Sequence, residues 1–243
     1  MRRLTLLTTA LTCALTIAAC GSSNSSSSSA GTGSSSAAST ATSSANGTGT
    51  SSSAGTGPAS ATTSSASQPT IGFEGVPLQT GPAIAPAGTT GTGKVNGITC
   101  GSTEQLAYHI HAHLAVFKSG QAYTLPAGVG IPGSHPVTTN QGPIASGGSC
   151  IYWLHTHTTD GVIHIESPTK AIYTLGDFFD EWRQPLTTKQ VGTLTGSVTA
   201  FVNGKPWKKD PRAIPLLPHE DIQLQIGEPA PPIVKIDWSQ TQL

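Results

Sequence analysis

The sequence predicts an α+β domain, a mixed or antiparallel sheet of about six strands with one packed helix. Three observations lead there. Residues 108–117 and 221–226 alternate in polarity with the period of a strand, residues 174–182 repeat apolar side chains with the period of a helix, and Asp160-Gly161 and Asn203-Gly204 mark turns beside further strands at 150–166 and 198–202.

Composition sets where that domain can lie. The chain has 243 residues with Lys+Arg 12 against Asp+Glu 12, but Gly21–Thr70 contains no ionisable or aromatic residue and cannot build a core. From Phe73 onward the remainder suits one folded domain. Near-zero net charge without a basic block argues against nucleic-acid binding.

The N-terminus reads as an export signal. Met1-Arg2-Arg3 is a short positive start, and Leu4–Ile17 is apolar apart from Thr and too short to span a membrane stably. Its end, Ile17-Ala18-Ala19-Cys20, resembles the lipobox of bacterial lipoproteins. That resemblance implies cleavage before Cys20 and diacylglycerol on its sulfur, with enough acyl chain (palmitate and its like) for stable anchorage. The expected organisation is therefore a lipoprotein signal peptide over 1–19, the lipidated Cys20 and a Ser/Thr/Gly/Ala-rich tether over 20–70, a Pro/Gly-rich irregular lead-in over 71–98, a His-rich domain over 99–227 and a Pro-rich C-terminal extension over 228–243. Fifty residues of such tether span roughly 40 Å as flexible coil. The expected location is extracytoplasmic, on the cell membrane or on an outer membrane, with the membrane as partner through Cys20 and no nucleic acid. With Cys13 cleaved away and Cys20 lipidated, Cys100 and Cys150 remain, and outside the cytoplasm they are expected to form a disulfide. The alternative is a thiolate on a metal, but neither lies in a C-x-x-C or beside a His.

The lead-in scatters Ile71, Phe73, Val76, Leu78 and Ile84 among Pro and Gly and is expected to pack on the domain surface. Gly88–Lys94 resembles the start of a phosphate loop, but Val95 stands where Ser or Thr must ligate magnesium, so we reject it. On the first strand His109, His111, His113 and Ala115 share one face, while Tyr108, Ile110, Ala112, Leu114 and Val116 share the other. Lys118–Gln121 is a turn before a returning strand at 122–125. The second unit carries His155 and His157, then Asp160-Gly161, then His164 and Glu166. A two-residue Asp-Gly turn would set His157 opposite His164 and His155 opposite Glu166; a four-residue turn would set His155 opposite His164. Either way the four share a face. Thr174 and Asp177 form a capping-box pattern for a helix carrying Leu175, Phe178, Phe179 and Trp182, which Pro185 ends. The last five elements (ββαββ) are similar in order to a β-grasp arrangement.

Six of eight histidines fall in these two clusters, where alternation places nitrogen donors side by side. The candidate metal ligands are His109, His111, His113, His155, His157, His164 and Glu166; His135 and His219 are isolated in loops. Met1 is the only methionine and leaves with the signal, so no thioether is available, and bridged cysteines supply no thiolate. That disfavours blue-copper and Met-rich copper sites and leaves a nitrogen-rich site for copper or zinc, with Fe(II) as a further alternative. His155-x-His157 with a distal Glu also resembles the cupin metal motif, but Glu166 follows His157 by too many residues, so a cupin-like small β-barrel enzyme is the runner-up. A structural or partner-binding face without metal is the third reading. No nucleophile motif, acid or base stands out, so a binding role is expected rather than catalysis, and no catalytic residue is assigned.

Five runs, His-x-His-x-His-Leu (109–114), Leu-Pro-Ala-x-x-Gly-Ile (125–131), Trp-Leu-His-Thr-His (153–157), Gly-x-Ile-His-Ile-Glu-Ser-Pro (161–168) and Thr-Leu-Gly-Asp-Phe-Phe (174–179), together resemble a family of uncharacterised extracytoplasmic proteins of bacteria and archaea. The resemblance covers roughly residues 100–227 and implies a single extracytoplasmic domain without naming a reaction.

Overall fold

The structure is a computed structural model that describes residues 68–88 and 93–243. The export signal, Cys20, nearly all of the tether and most of the Gly88–Lys94 run lie outside the described residues. A seven-stranded mixed sheet holds β1 (Tyr108–Lys118), β2 (Gln121–Tyr123), β3 (Leu154–His155) and β4 (Val162–Ser167), then, after the helix α1 (Leu175–Glu181), β5 (Val198–Val202), β6 (Lys205–Trp207) and β7 (Glu220–Ile226). The order is β6-β5-β7-β1-β4-β3, with β2 also on β1. Only β1 and β7 run parallel; every other pair in this sheet is antiparallel.

This order, with the first and last long strands side by side and the helix between β4 and β5, is similar to a β-grasp arrangement in strand order, but from other strands than expected. The leading pair is β1 with β4, not residues 150–157 with 162–166. Length decides it: β1 reaches from Tyr108 to Lys118 and offers six residues to β4 and seven to β7, whereas Leu154–His155 pairs through two residues and is left at the edge. The cupin-like barrel is corrected too, because the sheet ends at β6 and β3 instead of closing.

Alternation along β1 divides the molecule. Ala112, Leu114 and Val116 enter the core with Ile163 and Ile165 of β4 and Ile222, Leu224 and Ile226 of β7. Over them lies α1, whose Leu175, Phe178 and Phe179 are fully buried, as is its C-cap Trp182. Burying each such side chain is worth about 1.5–3 kcal/mol. The helix starts as the sequence predicts: the Thr174 hydroxyl accepts from the Asp177 N–H (3.2 Å) and the Asp177 carboxylate accepts from the Thr174 N–H (2.9 Å). It ends at Glu181, ahead of Pro185.

Glu181 is fully buried, and burial, with Asp177 and Asp180 adding to it, pushes its carboxyl well above the usual range. The native state then binds more protons than the unfolded chain. Stability is therefore unaffected by this group at low pH and falls as pH rises past about 4.5 and through the folded value. Glu181→Gln is expected to raise the urea midpoint at neutral pH with little change at pH 4; a difference constant over that range would refute this.

The lead-in corrects a third expectation. Val76, Ile84 and Ala85 are buried, and Ile84 joins the main core, its N–H donating to Thr124 O at 3.1 Å. Trp182 Nε1 donates to Pro86 O at 2.8 Å. This segment is part of the domain, because apolar residues scattered among Pro and Gly dock by their own contacts without any periodicity to announce it. On the face opposite α1, Asp221, Gln223 and Gln225 of β7 hydrogen-bond the C-terminal extension, with Val234 N–H donating to Gln223 Oε1 at 2.8 Å. Among the described residues no helix is long and apolar enough to cross a membrane.

Candidate metal centre

Strand register brings the two histidine clusters together. Antiparallel pairing sets His109 opposite Glu166 and His111 opposite His164 between β1 and β4, and His155 opposite His164 between β3 and β4. The β3–β4 register is the one a four-residue turn would give. His164 is thus flanked on both sides, its ring 4.6 Å from those of His111 and His157 and 5.2 Å from that of His155. The Cys100–Cys150 disulfide forms, and Cys100 pairs opposite Tyr152, tying the chain ahead of β1 to the start of the His155 segment.

The loop at 126–131 holds the His155-Thr156-His157 segment. Thr156 Oγ1 donates to Pro126 O (2.8 Å) and accepts from Val129 N–H (3.1 Å), and Thr156 N–H donates to Val129 O (3.0 Å). A Cβ at Gly130, whose φ is +72°, would collide with the Leu154 carbonyl and His155. His155 Nδ1 donates to Tyr152 O (2.9 Å) and His157 Nδ1 to Ala145 O (2.7 Å), since a carbonyl can only accept. Those bonds fix the tautomer and turn both bare Nε2 atoms inward, where they stand 3.2 Å apart. His109 and His111 also stand Nε2 to Nε2, at 2.9 Å, without the carbonyl bonds that fix the tautomers of His155 and His157.

Burial governs the charge of these rings. His155 is fully buried, and burial, reinforced by neighbouring imidazoles, holds it well below the ordinary histidine range. Burial likewise, with His164 and His109 adding to it, takes His111 down to about 3. Burial also opposes a proton on His164, but hydrogen bonds and charge from Glu166 (3.3 Å) and Glu74 (3.0 Å) outweigh it and raise His164 to about 9. Asp160 is raised to about 7, by burial first and then by the charge of Glu74.

The residues fall into two sets of donor atoms, each within 4.8 Å of one another: His155, His157, His164 and Glu166, and His109, His111 and His164. Six of the seven expected ligands are therefore assembled. His113 is not: it shares their face of β1, but its Nε2 is spent on the Asp160 carbonyl at 2.9 Å, and burial lowers it to about 4. The displacement follows from length, because β4 opposes β1 only as far as His113 and the 158–161 turn folds over that ring. Two acidic residues were missed. Glu74 reaches His164 from the lead-in, and Glu104 Oε1 lies 3.3 Å from His157 Nε2. Glu74 had one signal, being the only acidic residue before Glu104.

The donor set could hold a metal ion. Two nitrogens bound to one tetrahedral zinc at about 2.0–2.1 Å are about 3.3 Å apart, close to the spacings seen in both histidine pairs. No family model matches the chain, and neither the curated proteins nor the solved structures compared with it gave a match.

Proposed function

We propose that this chain is an extracytoplasmic lipoprotein, held to a membrane by acyl chains on Cys20, whose domain binds copper or zinc through strand-borne histidines. One observation carries the metal reading: two Nε2 atoms, their Nδ1 atoms both committed as donors, face each other at 3.2 Å. Two lone pairs repel unless a cation sits between them. A proton there would need one ring to be cationic: burial opposes that at His155, and a proton held by His157 beside Glu104 is the competing occupant. A divalent ion satisfies both nitrogens. The bridged cysteines leave imidazole and carboxylate as donors, a set suited to Zn(II) or Cu(II) rather than Cu(I). The anchor is supported by the N-terminal residues alone, and the histidines would then meet metal outside the cytoplasm.

Elemental analysis of the full chain purified in detergent, after incubation with zinc or copper and gel filtration, is expected to find stoichiometric metal. The His155→Ala/His157→Ala variant should lose affinity by more than about 100-fold, since even residues that only orient ligands cost 10–100-fold. Wild-type protein blank for both metals would overturn the metal reading. For the anchor, the N-terminal peptide should begin at Cys20 and carry the mass of diacylglycerol; an unmodified Cys20 would overturn it.

A further inference from the structure

We infer that the centre holds two metal ions, one on the His109/His111 pair and one on the His155/His157 pair, with Glu166 as the carboxylate between them. This rests on the metal-binding reading above and goes beyond it in number and arrangement. The donors form two sets that share His164, and each set contains its own Nε2 pair, at 2.9 and 3.2 Å. Either spacing suits two nitrogens on one ion.

Glu166 is placed to serve both. Its Oε1 lies 3.0 Å from His109 Nε2, and its Oε2 points to the other pair, 3.9 Å from His155 Nε2. Oε2 is buried without a hydrogen-bond partner. A buried carboxylate oxygen left unpaired costs free energy that a cation at its side would recover. The count of donors points the same way. Five imidazoles with Glu166 exceed the four ligands of one tetrahedral ion, whereas two ions sharing a carboxylate can use all of them. Charge is available as well: Glu74, Glu104 and Glu166 each lie within 3.3 Å of a site histidine.

The test is the number of ions and their separation, read on the full chain in detergent with Zn(II) and Cu(II) as probes. Elemental analysis should give two ions per chain, falling to one in His109→Ala/His111→Ala and to one in His155→Ala/His157→Ala. Electron paramagnetic resonance of the fully Cu(II)-loaded wild type should show the broadening and half-field signal of two coupled Cu(II) ions, replaced by an isolated Cu(II) spectrum in either variant that folds. One ion per wild-type chain, or two without magnetic coupling, would overturn the two-ion arrangement and leave metal binding standing. No ion at all would overturn metal binding itself.

Discussion

Removing the Cys100–Cys150 bridge is expected to cost about 4 kcal/mol of stability. The bridge closes a loop with a sequence separation of 50, and the chain-entropy relation for a loop of that length gives about 4 kcal/mol at 25 °C. The same loop contains β1 and the 126–131 segment that locks Thr156, so opening it loosens what aligns His109 and His111 with His155 and His157. Urea unfolding of Cys100→Ser/Cys150→Ser against wild type measures the loss, and metal titration of the same pair should show weaker binding. A change below about 1 kcal/mol would mean that packing of the core alone holds these segments together.

Metal loading should stabilise the protein on a similar scale. An ion that binds the folded state alone contributes RT ln(1 + [L]/Kd), about 4 kcal/mol at a free concentration 1,000 times Kd. In a domain of this size that corresponds to a rise in Tm of roughly 10 °C, reversed by a chelator. Protons compete for the same nitrogens, because ligation requires neutral imidazole, so the shift should shrink as pH falls. A melting temperature indifferent to zinc, copper and chelator would argue that the histidines serve the fold alone. Measuring the shift in a variant that combines His109→Ala/His111→Ala with His155→Ala/His157→Ala separates ions at this centre from adventitious ones.

Much of the fold was legible because it is local. Period-two alternation placed β1 and β7, the Asp160-Gly161 and Asn203-Gly204 turns placed β4 and β5, and spacing of Leu175, Phe178, Phe179 and Trp182 with the Thr174/Asp177 cap placed α1. The partners of each strand were less legible. Alternation says which face a side chain takes, but pairing depends on how much ladder each strand offers, and that put β1, not residues 150–157, beside both β4 and β7. The centre shows the same division. Six histidines and Glu166 stood out by spacing, whereas Glu74 and Glu104 lie in segments without periodicity and reach the site only through the folding of those segments.

The sequence by itself determined which residues can serve as donors, the face of β1 that carries them and the start of the helix, because these depend on neighbours a few positions away. Only the tertiary structure decided that the two clusters meet at His164, that His113 is drawn off to the Asp160 carbonyl, and that Glu74 closes on the site from 90 residues away. Those outcomes rest on strand register and on burial, which arise from contacts between distant segments competing for the same sheet.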